Sequence, residues 1–321
     1  MSDRVPNNRV AYGKALVSVG ETRPNVVVLE ADLGKGTQTV LFRERFPERY
    51  FPVGIAEGNM MGVAAGLATT GLVPFASTFC VFASMRAVEQ FRNSIAYPRL
   101  NVKVVATNAG IEIGPDGATH QAIEDIAIMR AIPNVTVLVP SDPVMTMKLI
   151  PMVADSIGPV YVRIGRQDTP YLYDENTLHL EFGKAVLARE GHDVTIIAIG
   201  NMVCRSLAAA EILEREGISA RVLDMFSIKP LDTDAIVRAA RETGCIVTAE
   251  DHNILGGLGG AVAEVLSAEL PVPLVRVGVQ DTFAESGDGE AVLRAYGLTA
   301  ERIAEAARTA MARRDGLRRT Q

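Results

Sequence analysis

Cysteine is scarce in this 321-residue chain: Cys80, Cys204 and Cys245 are odd in number and far apart. Neither a disulfide framework nor a metal-ligand spacing follows, and a reducing compartment is the simplest reading. An excess of positive charge is missing too. Acidic residues number 38 against 32 basic ones, a net charge of −6, which argues against a nucleic-acid binder and its basic face. The basic run ARRDGLRRTQ at the end reads as a frayed, solvated helix terminus. No stretch reaches the roughly 18 apolar residues of a membrane span. The opening MSDRVPNNRV lacks the apolar segment of a signal peptide. These absences lead us to expect a cytoplasmic protein that binds neither nucleic acid nor membrane. Short repeats and low-complexity tracts are absent as well.

What is present is apolar and segmented. Hydrophobic residues make up 48% of a chain too long for one ordinary core, so two domains are expected. A helix over Arg9 to Val19 is followed by apolar runs at VVVLEADLG (26–34), YFPVGIAEG (50–58), LVPFAST (72–78), VKVVATNAG (102–110), VTVLVP (135–140) and PVYVRIG (159–165). Helical stretches separate them, among them VFASMRAVEQFRNSIAY (81–97), which reads as one helix. Near-continuous apolar strands alternating with helices predict a parallel sheet covered on both faces. The polar stretch from Asp174 to Lys184 reads as a linker, after which the alternation resumes through VTIIAIG, ARVLDMF, CIVTAED and LVRVGV. The expected fold class is α/β, with two parallel-sheet α/β domains over residues 1–180 and 181–321.

In such sheets ligands bind outside the carboxyl ends of the strands. The polar and aromatic exceptions fall there: Asp32, Glu57, Phe79, Asn108, Asp116, His120 and Arg166. Glu57 organises the set. It stands alone in GIAEGNMMGVAAGL (54–67), between a strand and a helix without charge on any face. An isolated buried carboxylate needs a partner, although a helix N-terminal Glu bonded to its own first-turn amides fits equally. His120, in DGATHQ, follows a glycine-rich loop that carries Asp116, which suits a proton carrier as well as a structural histidine. Arg163 and Arg166, in VRIGRQ, end a strand at the same rim. They suit bidentate recognition of an anionic substrate group, or a surface ion pair. Phe79 and Phe82, in STFCVF, either fill the core or offer ring faces to a flat heterocycle. GGLGG (256–260) lacks the dinucleotide spacing and reads as a tight turn against a helix. His252 reads as structural, and His179 and His192 as solvated.

Taken together, GIAEGNMMGVAAGLA, FASTFCVF, GPDGATHQAIEDIAIMRAIPN and RIGRQ, in this order and spacing, resemble the transketolase family over nearly the whole chain. The resemblance covers the pyrimidine-binding and C-terminal domains of a full transketolase. It implies thiamine diphosphate as cofactor and transfer of a two-carbon ketol unit from a phosphorylated, sulfonated or branched ketose to an aldose. Under it, Glu57 is the catalytic carboxylate that shares a proton with N1′ of the aminopyrimidine. The 4′-imino form then takes the proton of thiazolium C2, and the cofactor acts as electron sink. Phe79 and Phe82 become the aromatic pair against the pyrimidine, and Asp32 lies near the cofactor cleft. Asp116 contacts a hydroxyl of the donor sugar. His120 bonds the sugar hydroxyls and moves protons. Arg166, with Arg9, clamps the terminal anion.

Two departures from the family shape the expectation. The diphosphate-binding domain that a full transketolase carries is not among these 321 residues, so the chain is expected to resemble the C-terminal subunit of a split transketolase. An N-terminal partner subunit would then hold the diphosphate and its Mg2+ (or Ca2+), in an α2β2 assembly with active sites at subunit interfaces. The small-residue helix after Glu57 fits such an interface, or internal packing. GDG (287–289) starts like the family's magnesium–diphosphate motif but has no asparagine about thirty residues on, and reads as a turn. Second, Asn108 stands where the family commonly has a histidine near the sugar phosphate. A neutral amide supports a singly charged sulfonate or an altered sugar chain better than a dianionic phosphate. The nearest alternative is the β subunit of a 2-oxo acid dehydrogenase E1 component, from which DGATHQ points away. A deoxyxylulose-phosphate synthase fragment and a non-catalytic assembly subunit are the others, and the presence of both Glu57 and His120 argues against the last.

Overall fold

Val26–Glu30 and Val73–Phe79 are buried at every position, as strands covered by helices on both faces must be. A computed structural model describes residues 7–319 of the chain, so Thr320 and Gln321 of the basic tail lie outside the described residues. The strands of the first half are β1 (Val26–Glu30), β2 (Tyr50–Pro52), β3 (Val73–Phe79), β4 (Lys103–Thr107), β5 (Thr136–Leu138) and β6 (Val160–Arg163). They alternate with α1 (Asn8–Thr22), α2 (Gly34–Thr37), α3 (Val40–Arg45), α4 (Glu57–Ala68), α5 (Val88–Gln90), α6 (Asp125–Ala131) and α7 (Pro143–Asp155). The second half has strands β7 (Val186–Arg189), β8 (Val194–Ala198), β9 (Ala220–Asp224), β10 (Ser227–Lys229), β11 (Ile246–Asn253) and β12 (Leu274–Val279). Its helices are α8 (Met202–Glu214), α9 (Thr233–Thr243), α10 (Leu258–Glu269), α11 (Gly289–Ala295) and α12 (Ala300–Arg319).

The first sheet runs β10-β5-β6-β4-β3-β1-β2 and the second β12-β11-β8-β9-β7. Both are mainly parallel, as expected of two parallel-sheet α/β domains, and each carries one antiparallel strand at an edge. β7 pairs antiparallel with β9 at one edge of the second sheet, and β10 pairs antiparallel with β5 at one edge of the first. The reason for β10 is length. Two residues separate it from β9, far fewer than the dozen or more that a parallel crossover needs. It therefore leaves its own sheet and extends the other. Residues 81–97 are not one regular helix either: π-helical turns at Phe82–Arg86 and Phe91–Ala96 flank the short α5.

One apolar core crosses between the halves. Leu29, Met60 and Phe91 share a buried cluster with Ile197, Met225 and Val262. The glycine-rich GGLGG turn belongs to this architecture. The amides of Leu258 and Gly259 bond the carboxylate of Glu250 at 2.6 and 2.8 Å, so the helix start already has its anion. Burial pushes Glu250 up to about 7. His252 lies beside it, with Nδ1 on the Asn253 carbonyl at 2.7 Å and Nε2 facing the Ala127 amide, and burial pulls its pKa down to about 4. That is the structural histidine expected. GDG is a turn whose Asp288 caps α11 by accepting from the Ala291 amide at 3.0 Å.

Candidate active site

Gly54, with φ at +73°, turns the chain out of β2, and Glu57 opens α4. The Glu57 side chain is 1% exposed. It does not fold back on its first-turn amides. Arg86 Nη1 donates to Oε1 at 2.9 Å and to Oε2 at 3.0 Å, which offsets the cost of burying the charge. The Arg86 guanidinium also lies 4.2 Å from the centre of the Phe82 ring, close enough for a cation–π contact. Phe82 and Phe79 stack at 6.0 Å with 13° between their planes, and the His120 ring meets Phe82 edge-on at 5.3 Å. Thr119 Oγ1 and His120 Nδ1 lie 3.0 Å apart. Four expected residues are therefore linked in one wall: Glu57, Phe82, Phe79 and His120. Arg86 was not anticipated. Its spacing of four residues from Phe82 was the available signal, since i and i+4 share a helix face.

A second group forms around Arg166. Its Nη1 donates to Asp116 Oδ2 at 2.8 Å and to the Ile113 carbonyl at 2.9 Å. Asn7 brings Arg9 to the same place. Its side-chain oxygen accepts from the amides of Arg9 and Val10 at the start of α1, while its Nδ2 donates to the Arg166 carbonyl and to Asp168. Burial, and then the neighbouring Arg166 charge, pulls Arg9 below its ordinary value. Arg9, Arg166 and Arg205 of α8 line a cleft of about 540 Å³ between the halves of the chain. The two groups meet through Gly36: its carbonyl accepts from Arg9 Nη1 at 3.3 Å, and a methyl on it would lie 2.8 Å from the Phe79 ring. Asn108 follows β4 with φ at +61°, is buried, and leaves Oδ1 without a hydrogen-bond partner. Asp32 is exposed just past β1, with φ also at +61°.

Arg163 does not join either group, which corrects its inclusion among substrate-binding residues. Its side chain is 4% exposed and is spent on the domain junction. Nε donates to Asp125 Oδ2 at 2.8 Å, and Nη2 donates to the carbonyls of Ala122 and of Asp251 on β11. Tyr161 donates to the same Asp125 oxygen at 2.7 Å. The sequence pattern carried no sign that a second domain would cover this strand end. Glu112 was missed for the same reason. It is buried beside Asp251, and burial followed by the Asp251 charge pushes it up to about 7.

The outer face of α4 is open. Cβ atoms built on Gly62 and Gly66 would meet nothing within 4 Å, so these glycines are not explained by internal packing. Ile55 at the helix entrance is 74% exposed and Met85, next to Arg86, 43%, apolar surface beside Glu57 and its partner in the chain. Among the described residues no cluster of His, Cys, Asp and Glu could hold a metal ion, and no helix is long and apolar enough to cross a membrane.

Residues 5–171 match the family model described as Transketolase, pyrimidine binding domain, and residues 183–303 match Transketolase, C-terminal domain. The chain belongs to the transketolase family. A solved split-gene transketolase, described as an inactive β4 tetramer, is 52% identical and superposes with a TM-score of 0.90, covering 96% of this chain and 99% of that one. The 6-deoxy-6-sulfo-D-fructose transketolase subunit SqwH of Clostridium sp. is 44% identical over 299 residues, 93% of this chain and 92% of that protein. A subunit of the apulose-4-phosphate transketolase of Phocaeicola vulgatus is 37% identical over 305 residues, 94% and 97% respectively. This transketolase chain is thus the C-terminal subunit of a split-gene enzyme, a transferase whose family implies thiamine diphosphate.

Proposed function

We propose that this chain is the proton-sharing half of a cytoplasmic two-subunit transketolase, with its pyrimidine-binding domain over 1–180 and its C-terminal domain over 181–321. The observation that carries the reading is Glu57, a buried carboxylate at an open mouth, linked through Arg86 to the stacked faces of Phe79 and Phe82. The residues fit the aminopyrimidine end of thiamine diphosphate: a carboxylate for its ring nitrogen N1′ and two near-parallel phenyl rings for its face. When bound, the cofactor supplies the thiazolium C2 nucleophile and the electron sink for ketol transfer. Glu57 holds the proton at N1′, and Arg86 keeps the carboxylate aligned. Asp32 lines the cofactor cleft.

The sugar lies along the wall that continues from Phe82. His120 moves protons at the sugar hydroxyls, and Asp116 accepts from one of them. Arg166 and Arg9 face the terminal anion, with Asn108 beside it. A neutral Asn108 supports a singly charged terminus, and the relative named for a sulfonated fructose supports the same choice. The diphosphate and its Mg2+ (or Ca2+) are held mainly by an N-terminal partner subunit that covers the open face of α4, in an α2β2 assembly. The inactive β4 form of the 52% identical relative supports the view that this chain without its partner is idle.

Reconstitution tests this. Mixed with the diphosphate-binding subunit, cofactor and metal, the chain is expected to transfer a ketol unit to an aldose. The 6-sulfonate analogue of fructose 6-phosphate is expected to be the better donor. Either subunit alone is expected to be inactive. Activity of the isolated chain would refute the split site, and a clear preference for fructose 6-phosphate would refute the sulfonate reading while leaving the enzyme reading intact.

A further inference from the structure

Glu112 takes no part in the roles above, yet two segments distant in sequence converge on its carboxylate. It lies in the loop after β4 and is 2% exposed. Oε1 accepts from the amides of Arg166 and Gln167, and Oε2 accepts from Nδ2 of Asn201, the residue preceding α8. The Glu112 main chain is held as well: its N–H donates to Asp251 and its carbonyl accepts from Gln167 Nε2 at 2.8 Å. The loop beyond β6 passes so close that a methyl on Gly165 would overlap Oε1, so any side chain there would have to displace the Glu112 carboxylate. The same short loop carries the Arg166 guanidinium back to Ile113 and Asp116, one and four residues after Glu112. Glu112 and Arg166 thus hold each other's loops, main chain by side chain in both directions.

We propose that Glu112 is a positioning residue for the anion end of the substrate site: it fixes the backbone of Arg166 against the Asp116 loop and, through Asn201, makes that setting depend on the seat of the second domain. The proposal rests on the reading of Arg166 as the contact for the terminal anion. Folding alone does not call for a carboxylate here. Burying one beside Asp251 is costly, and an apolar or amide side chain would fill the space with less desolvation. What an uncharged group cannot do is accept from two backbone amides and a side-chain amide at once. Glu112 therefore secures geometry at the expense of stability, a trade common at sites that must be held rigid.

The test is Glu112→Gln, read in two ways. In the reconstituted enzyme, kcat/KM for a ketose with a terminal anion is expected to fall about tenfold, through KM, because the guanidinium is displaced from its working position. For the same ketose without the anion it is expected to change by less than about twofold, since no guanidinium contact is lost. In the chain itself, modification of Arg166 by phenylglyoxal, followed by peptide mass spectrometry, is expected to accelerate relative to Arg23 and Arg308, two arginines paired elsewhere on the surface. Equal losses for both ketoses, or Arg166 labelling that tracks the two reference arginines, would overturn the proposal. If the wild-type pair transfers no ketol unit, the enzyme reading fails instead, and the labelling still decides the role of Glu112. Should Glu112→Gln not fold, Asn201→Ala removes one donor and is expected to raise Arg166 labelling in the same direction; unchanged labelling there counts against the proposal.

Discussion

Replacing Glu57 with glutamine is expected to slow exchange of the cofactor's C2 proton in the two-subunit enzyme by on the order of 10²–10⁴-fold, the usual range for a lost general acid–base. The carboxamide has nearly the same size and can still hydrogen-bond, but it cannot share the proton of the ring nitrogen. The fold is expected to survive. The substitution removes a charge from a site 1% exposed, and its partner Arg86, 48% exposed, keeps water as an alternative. A melting temperature close to wild type together with collapsed exchange, followed by proton NMR in deuterium oxide, is the expected pair of results. Wild-type exchange rates would remove Glu57 from the chemistry.

The second large effect concerns the junction between the halves rather than the reaction. Asp125→Ala leaves the Arg163 guanidinium buried with only carbonyl partners and strips Tyr161 of its acceptor. Losing one member of a buried pair costs roughly 3–5 kcal/mol, because the remaining charge stays out of water. Burial lowers Arg163, and the charges of its neighbours, Asp125 first among them, together with the Asp125 hydrogen bond reverse this, so the loss of Asp125 removes the one carboxylate in contact with Arg163 among the described residues. Urea denaturation is expected to show the full loss for Asp125→Ala and a much smaller one for the double replacement Asp125→Leu with Arg163→Met. A cost below about 1 kcal/mol for the single change would mean that water reaches Arg163 and that the junction is looser than its burial indicates.

How much of this was legible in the sequence depends on what each feature needed. The central strands were plain, since a strand covered on both faces must be a short continuous apolar run. β10 was not. Its three residues include Lys229, and its partner strand lies about ninety residues away in the other domain, so no local pattern marks it. Glu57 stood out because a lone charge among apolar residues has to be accounted for. Arg86 did not, because MRAVEQFR reads as an ordinary helix surface; its four-residue spacing from Phe82 was the available trace, and the π-helical turn shows where the guanidinium goes. Arg163 and Arg166 looked alike as arginines at one strand end. What separates them is the β11 backbone that covers the first and not the second, a fact of domain packing with no local trace. Glu112 left no local trace for the same reason. The open flank of α4 sharpened an ambiguity: a glycine-rich helix suits internal packing or an interface, and open space beside Gly62 and Gly66 favours the interface.

Calorimetric titration of thiamine diphosphate with Mg2+ into this chain, alone and then together with the diphosphate-binding subunit, tests the two-subunit site most directly. The expected result is no saturable heat from the chain alone, because Glu57 and the phenylalanine pair meet only the aminopyrimidine end, and saturable binding once the partner is present. Tight, saturable binding by the isolated chain would contradict the claim that this subunit carries half of an active site.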